Sequence, residues 1–414
     1  METNLPPFIG RVALRNYKSI AECEVELHRL VLLVGPNGSG KSNFLDALRF
    51  VADSLRGTMD QALRERGGIN EVRRRSRGHP THFAIHLWLS LASGRSAEYS
   101  FSVGAKKPGG FQIQDEECRV VDATGQLLGE YSIADGAVLK ASIKPHPPAS
   151  TDRLYLTIAS AFPEFLEVFE HLSGMGFYNI NPDQLRELQD PDSGDLLMRD
   201  GRNVASVLAQ LGARDPRVKE RIEDYLARIV PGVRHVEKKS FHHKETLEFK
   251  QEVAGDQHPW SFSAQNMSDG TLRALGVLVS LFQCFDRPLG RLVPLVGIEE
   301  PEVALHPAAA GVLLGALQEA SNYSQILVTS HSPELLDSPG LDPESLLIVE
   351  TIEGRTVIAP ADEVGMSAMR DRLFTAGELL KFDQLHPRGA AAPSAPQTDS
   401  HNGGVAMPLF PEER

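Results

Sequence analysis

Residues 30–42 read Leu-Val-Leu-Leu-Val-Gly-Pro-Asn-Gly-Ser-Gly-Lys-Ser. The apolar run Leu30 to Val34 predicts a buried strand, and Gly35 to Ser42 behind it complete the G-x-x-x-x-G-K-[ST] phosphate-loop pattern. The order has a chemical reason. A strand delivers the chain to a loop, and Gly35, Gly38 and Gly40 let backbone N–H groups close around a polyphosphate. A helix starting near Ser42 then aims its positive end at the same anion. The cradle comprises Gly35, Pro36, Asn37, Gly38, Ser39 and Gly40 and runs into Lys41, Ser42 and Asn43. Lys41 is expected to reach the β- and γ-phosphates and Ser42 to hold Mg2+.

Beyond the loop, Phe44, Leu48, Val51 and Leu55 recur at helical spacing, the signature of one buried face. Before it, Phe8 to Leu14 reads as a strand, followed by the alternating Cys23, Val25 and Leu27. Between about 79 and 135 the period becomes two, with Phe83, Ile85, Leu87, Leu89 and Leu91, then Tyr99, Phe101 and Val103, which predicts an antiparallel β lobe. Helical patterns with Asn-Pro and Asp-Pro starts occupy 160–230, and strand-like segments follow at 234–239 and 246–253. After 265 helix and apolar strand alternate, as around a parallel sheet. The implied organisation is 1–60 with the phosphate loop, a 61–150 β lobe, 151–255 helical with connecting strands, 256–385 completing the α/β unit, and a disordered tail over 386–414.

The chain has 414 residues, 41% hydrophobic and 23% charged, a globular composition. Its net charge of −13 disfavours a uniform coat of nucleic acid or broad attachment to anionic lipid. Cys23, Cys118 and Cys284 show no C-x-x-C spacing, so neither a disulfide framework nor a zinc site is suggested. The N-terminus lacks a basic segment followed by an apolar one, and the uncharged apolar stretch Ala274 to Phe285 is too short to span a bilayer. A cytoplasmic protein without a membrane partner is the expectation.

Three further segments carry chemistry. Leu295-Val-Gly-Ile-Glu299-Glu300-Pro-Glu302 puts acids at the end of an apolar strand, where one carboxylate can hold a metal shell and the next polarise water. Glu299 is assigned to the metal and Glu300 to the water; alone, the segment reads more readily as a solvated acidic strand end. Ser268-Asp-Gly270 opens a helix, with Ser268 as N-cap and Gly270 allowing close approach of an anion or simply of backbone. Thr329-Ser330-His331 ends the next strand, where His331 is either a γ-phosphate sensor or a satisfied polar residue.

Together these segments resemble the set found in ABC-type ATPases, most closely the RecF, SMC and OLD-like class and its bacterial predicted AAA-type ATPases. Leu14-Arg-Asn-Tyr-Lys-Ser19, the phosphate loop with Asn43, Met267-Ser-Asp-Gly-Thr-Leu-Arg273, Glu299-Glu-Pro-Glu302 and Leu305-His306-Pro307 carry the likeness, which covers roughly 8–385. The resemblance implies an α/β fold, a P-loop NTPase head of ABC type with an inserted antiparallel β lobe and a helical segment. It also implies ATP and Mg2+ as cofactors and a homodimer with ATP at the interface. Gly35 to Asn43 and Glu299 would act in cis, Ser268 and Gly270 in trans on the partner's ATP. Lys41, Glu300 and His331 would carry the catalysis. Two points depart from the ABC pattern: Glu299 stands where Asp is usual, and no equivalent of the transporter-type Gln is recognisable.

The resemblance implies an ATPase (ATP + H2O to ADP + phosphate) acting as a switch or motor in DNA repair or phage defence. The alternative is an ATP-gated scaffold for a separate effector such as a nuclease; a transporter ATPase subunit ranks below both. The 83 residues after His331 leave no room for the nuclease domain of OLD proteins. Arg73-Arg-Arg-Ser-Arg77-Gly-His79 is the densest basic run, a contact for DNA phosphates or a loop pairing with the surplus acids. His242 and His243 lack a third ligand at metal-binding spacing.

Overall fold

The computed structural model describes residues 6–76, 80–106, 109–256, 258–283 and 293–389. The expectations placed on Arg77 to His79, Cys284 and the tail from 390 lie outside these residues. Strands run in chain order as β1 (Ile9–Tyr17), β2 (Ile20–Glu26), β3 (Leu30–Val34), β4 (His82–Ser90), β5 (Ser96–Ala105), β6 (Phe111–Val121), β7 (Leu127–Ala134) and β8 (Ala137–Ala141). They continue as β9 (Gly176–Tyr178), β10 (Val233–Phe241), β11 (Lys244–Gln251), β12 (Trp260–Ser263), β13 (Leu295–Glu299), β14 (Gln325–Ser330), β15 (Leu346–Ile352) and β16 (Arg355–Ala359).

The central sheet has the order β16-β15-β3-β14-β13-β9; β15, β3, β14, β13 and β9 are parallel and β16 pairs antiparallel with β15. Parallel strands buried on both faces carry continuous apolar runs, and Leu30 to Val34 shows why. Val31 and Leu33 enter one hydrophobic cluster, Leu32 and Val34 the other. The first cluster holds the Lys41–Arg56 helix, where Phe44, Leu48 and Val51 are fully buried. Truncating any of them to Ala would cost about 3–5 kcal/mol for Phe and about 2–5 for Leu. The second cluster packs helices Val204–Arg214, Pro216–Ile229, Asp269–Phe282 and Ala310–Ala320 on the opposite face.

The β lobe does not stand by itself. β4 pairs antiparallel with β1, so β2-β1-β4-β5-β6-β7-β8 is one seven-stranded sheet running from the N-terminal hairpin. β1 needs a partner on both edges, since its backbone groups would otherwise face the core unpaired. β10, β11 and β12 form a separate three-stranded sheet. Gly176–Tyr178 is the last strand of the central sheet. Among the described residues no helix is long and apolar enough to cross a membrane.

Candidate nucleotide site

Parallel pairing of β3, β14 and β13 brings three C-terminal strand ends to one edge, the edge where open α/β sheets place ligands. The phosphate loop follows β3, His331 follows β14, and Glu299 ends β13 with Glu300 next. β14 lies between the other two, an order that no segment read alone reveals.

Gly40 has φ 107° and Gly38 φ 80°, both in the left-handed region that favours glycine. Gly35 is required by a close approach, since a Cβ there would lie 2.0 Å from the Val349 carbonyl oxygen. The Lys41–Arg56 helix has no side-chain cap, so its first N–H groups are left to meet an anion. Lys41 is only 5% exposed, and its Nζ donates to the Gly35 and Pro36 carbonyls at 2.8 and 2.9 Å. Burial pushes its pKa down while the charges of Glu300 and Glu302 pull it up, so both acids lie within electrostatic reach of the loop. Behind the loop a polar chain runs from Asn43 Nδ2 to Ser19 Oγ (2.7 Å), on to Thr356 Oγ1 (2.7 Å) and to the Ser39 carbonyl (2.8 Å). Ser19 thus ties the opening strand-turn segment to the loop.

Glu300 adopts φ +45°, an unfavourable conformation for a residue with a side chain. Its N–H is shared between the Thr329 carbonyl (3.0 Å) and Oγ1 (3.2 Å). Its carboxylate stands 3.2 Å from His331 Nδ1, but off hydrogen-bond alignment, so Nδ1 keeps no hydrogen-bond partner. Glu299 is paired with Arg199 at 3.1 Å. Glu302, given no role by the sequence, is a deeper member of the group. Ser330 Oγ donates to its Oε1 at 2.6 Å, Oε2 has no partner, and burial raises its pKa. A third acid three residues on from Glu299 was the available signal.

Ser268 caps the Asp269–Phe282 helix, accepting from the Thr271 N–H at 3.2 Å. A Cβ on Gly270 would lie 2.3 Å from the Ala304 carbonyl oxygen, so the glycine already serves packing within one chain. Arg186, in the Pro182–Arg186 turn of helix, pairs with Asp269 and Asp183 and donates to the Met267 carbonyl. Gly270 thus packs on the same chain's 300–305 turn, while Ser268 bonds within its own helix start.

The residues fit a nucleotide with Mg2+. The buried polar atoms without a partner include Ser39 Oγ, Glu302 Oε2, His331 Nδ1 and Arg273 Nε, all at this edge, which is where a polyphosphate and its water would supply partners. Among the described residues no group of three or more His, Cys, Asp or Glu could hold a metal alone. Magnesium bound through one carboxylate, a hydroxyl and substrate phosphates needs no such cage, and Ser42 with Glu299 would supply the protein's share.

The basic run contributes to structure. Arg73 donates to Asn70 and the Pro80 carbonyl, Arg74 to the Ser19 and Gly354 carbonyls, and Arg75 pairs with Glu71. Arg74 thereby fastens the Ser19 turn behind the loop. Lys238 and Lys239 pair with Glu245 and Glu248.

Among curated proteins, the chain is 25% identical over 193 residues to structural maintenance of chromosomes protein 1 of Schizosaccharomyces pombe, a match covering 44% of this chain and 15% of that protein. The chain therefore spans a small part of that relative's length. Among solved structures it is similar to an SMC head bound to the C-winged helix domain of ScpA, with TM-score 0.53, 13% identity and coverage of 85% of this chain and 97% of the other. It is also similar to an SMC head with an extended coiled coil bound to the C-terminal domain of ScpA, from Pyrococcus furiosus. There the TM-score is 0.51 at 14% identity, covering 89% of this chain and 100% of that one. These likenesses show the fold of an SMC-type ATPase head. A family model described as "AAA domain, putative AbiEii toxin, Type IV TA system" matches residues 30–337, and the chain belongs to that family, with the fold of an ABC-type P-loop ATPase of the SMC/RecF class.

Proposed function

We propose that this protein binds ATP with Mg2+, dimerises on it and hydrolyses it. The observation that carries this reading is Glu300: its carboxylate stands 3.2 Å from His331 and within electrostatic reach of Lys41, at the strand edge that also holds the phosphate loop. In this reading Lys41 leaves its two loop carbonyls for the β- and γ-phosphates, and the uncapped helix and loop amides bind the remaining oxygens. Glu300 takes the proton of the attacking water, and His331 orients Glu300 and the γ-phosphate. Magnesium supplies charge neutralisation, held by Ser42 and Glu299. Ser268 and Gly270 complete the site of a second copy.

The test is Glu300→Gln, which keeps the shape and removes the base. ATP turnover should fall by roughly 100-fold or more, and an ATP-dependent dimer should accumulate in size-exclusion chromatography. Unchanged turnover would remove Glu300 from the chemistry.

The setting we infer is a switch or motor in bacterial DNA repair or phage defence, supported by the family's description as a putative toxin of a type IV toxin–antitoxin system. A second reading, an ATP-gated scaffold for a separate effector protein, is favoured by the solved heads, which are bound to domains of another protein, ScpA. Turnover measured with and without DNA and with candidate partner proteins separates the two.

A further inference from the structure

The helix that opens with the signature Ser268-Asp-Gly270 is joined to the proposed catalytic acid of the same chain by one side chain. Arg273 lies on the first turns of the Asp269–Phe282 helix, five residues after Ser268. Its Nη2 donates to the carbonyl oxygens of Glu299 (3.2 Å) and Glu300 (3.1 Å), and its Nη1 to the carbonyl of Ile180 (3.0 Å). Burial lowers its pKa while Glu302, Glu300 and Glu299 oppose the shift, so a partly buried guanidinium is held among acids. The three carbonyls and the three acids together offset the cost of burying part of that charge.

Two further observations join the same elements. Gly270 packs against the Ala304 carbonyl so closely that no Cβ fits. Glu300 and Ala304 both have positive φ, at 45° and 66°, so the turn after β13 is strained and needs support from outside. Thr329 holds the N–H of Glu300 and Arg273 holds its carbonyl, so the peptide units on both sides of the Cα are fixed. The direction of the carboxylate follows from that backbone.

We propose that Arg273 is a positioning residue that couples the two composite sites of the dimer, an inference that rests on the catalytic reading above. The Ser268 end of the helix contacts the partner's ATP, whereas Glu300 acts on the chain's own ATP. Arg273 bonds both elements within one chain. A displacement of the helix start on engaging the partner's nucleotide is therefore transmitted to the backbone of Glu300, and the two sites fire together. Arginine suits this task because its planar fork spans several carbonyls at once, whereas a lysine ammonium has no such fork.

Arg273→Met and Arg273→Lys in the full chain test the proposal. Arg273→Met should lower kcat about tenfold or more, with KM and the Kd for a fluorescent ATP analogue changed by less than about threefold; Arg273→Lys should recover part of the loss. Should the Met variant fail to fold, the Lys variant must still show a kcat-selective loss at a near wild-type melting temperature. A kcat within about twofold of wild type in the folded variants overturns the proposal if Glu300→Gln is inactive. An active Glu300→Gln overturns the catalytic reading itself.

Mixed dimers isolate the coupling. One chain carries Glu300→Gln alone, or Glu300→Gln with Arg273→Met (or Arg273→Lys), and its differently tagged partner is wild type. The second combination should turn over several-fold more slowly than the first, because the wild-type site then receives a signature released from its tie. Equal rates overturn the coupling.

Discussion

Thr356 on β16 donates a 2.8 Å hydrogen bond to the carbonyl of Ser39 in the middle of the phosphate loop, across 317 residues of sequence. Thr356 also contacts Ser19 Oγ at 2.7 Å, so the loop is braced from behind by the opening segment and by the last strand of the central sheet. Thr356→Val keeps the volume and removes both bonds. We expect a loss of about 1–2 kcal/mol in nucleotide binding, or roughly 5- to 30-fold in Kd, measured with a fluorescent ATP analogue. An unaltered Kd would mean that the loop holds its shape unaided.

Arg199 pairs with Glu299, the residue assigned to Mg2+. Arg199 is about half exposed, and exposed ion pairs are worth at most about 1 kcal/mol, so competition with the metal is weak. Arg199→Ala should tighten Mg2+ activation of ATP binding by no more than about fivefold. Weaker Mg2+ activation in that variant would show that Arg199 supports the site.

Asp46 faces inward from the phosphate-loop helix toward Arg66, Arg49 and Lys18, and accepts a hydrogen bond from Tyr17. Burial by itself would raise its pKa, but Arg66, Arg49 and Lys18 hold it down at about 2. With an unfolded value of about 3.9, this cluster contributes about 2–3 kcal/mol above pH 4, lost as the pH falls toward 2. Asp46→Asn leaves Lys18 without its carboxylate and Arg49 and Arg66 with Asp53 alone, and should destabilise by about 3–5 kcal/mol at neutral pH in urea unfolding. A loss below about 1 kcal/mol would place the cations in effective contact with water.

Glu116 on β6 is fully buried, accepting from the hydroxyls of Tyr99 and Tyr131 and the backbone N–H groups of Tyr155 and Leu156. Burial raises its pKa to about 7 against the pull of those four donors. The folded protein therefore binds an extra proton between about pH 4.3 and 7, and stability falls as the pH rises through that range, by about 4 kcal/mol in total. Above about pH 7 the effect levels off. Urea midpoints for the wild type minus those for Glu116→Gln should decline from pH 5 to 7.5; a flat difference would mean that Glu116 is ionised throughout.

Local chemistry was legible wherever it repeats along the chain. The apolar run of β3, the glycines of the loop, the Phe44 to Leu55 stripe and the acids at the end of β13 announce themselves because strand, turn and helix each impose a short period or a residue type. The resemblance of these motifs in their order extended the reading to a head of the SMC/RecF class. The basic run from Arg73 left two readings open, and Arg74, bonded to the Ser19 and Gly354 carbonyls, shows one guanidinium engaged in bracing the loop.

Other features depended on the tertiary structure. The continuation of the β lobe from β1, the position of β14 between β3 and β13, the enclosed and unpartnered Oε2 of Glu302 and the grip of Arg273 on the carbonyls of Glu299 and Glu300 have no sequence period. The physical reason is the acceptor. A backbone carbonyl is present at every residue, so a guanidinium that binds one leaves no mark in the composition or spacing of its partner. By itself the sequence determined that the chain has a phosphate cradle and a pair of strand-end acids. Only the tertiary structure decided that the acid with the strained backbone is braced by the helix that opens at Ser268, because that contact depends on the packing of elements about thirty residues apart in sequence.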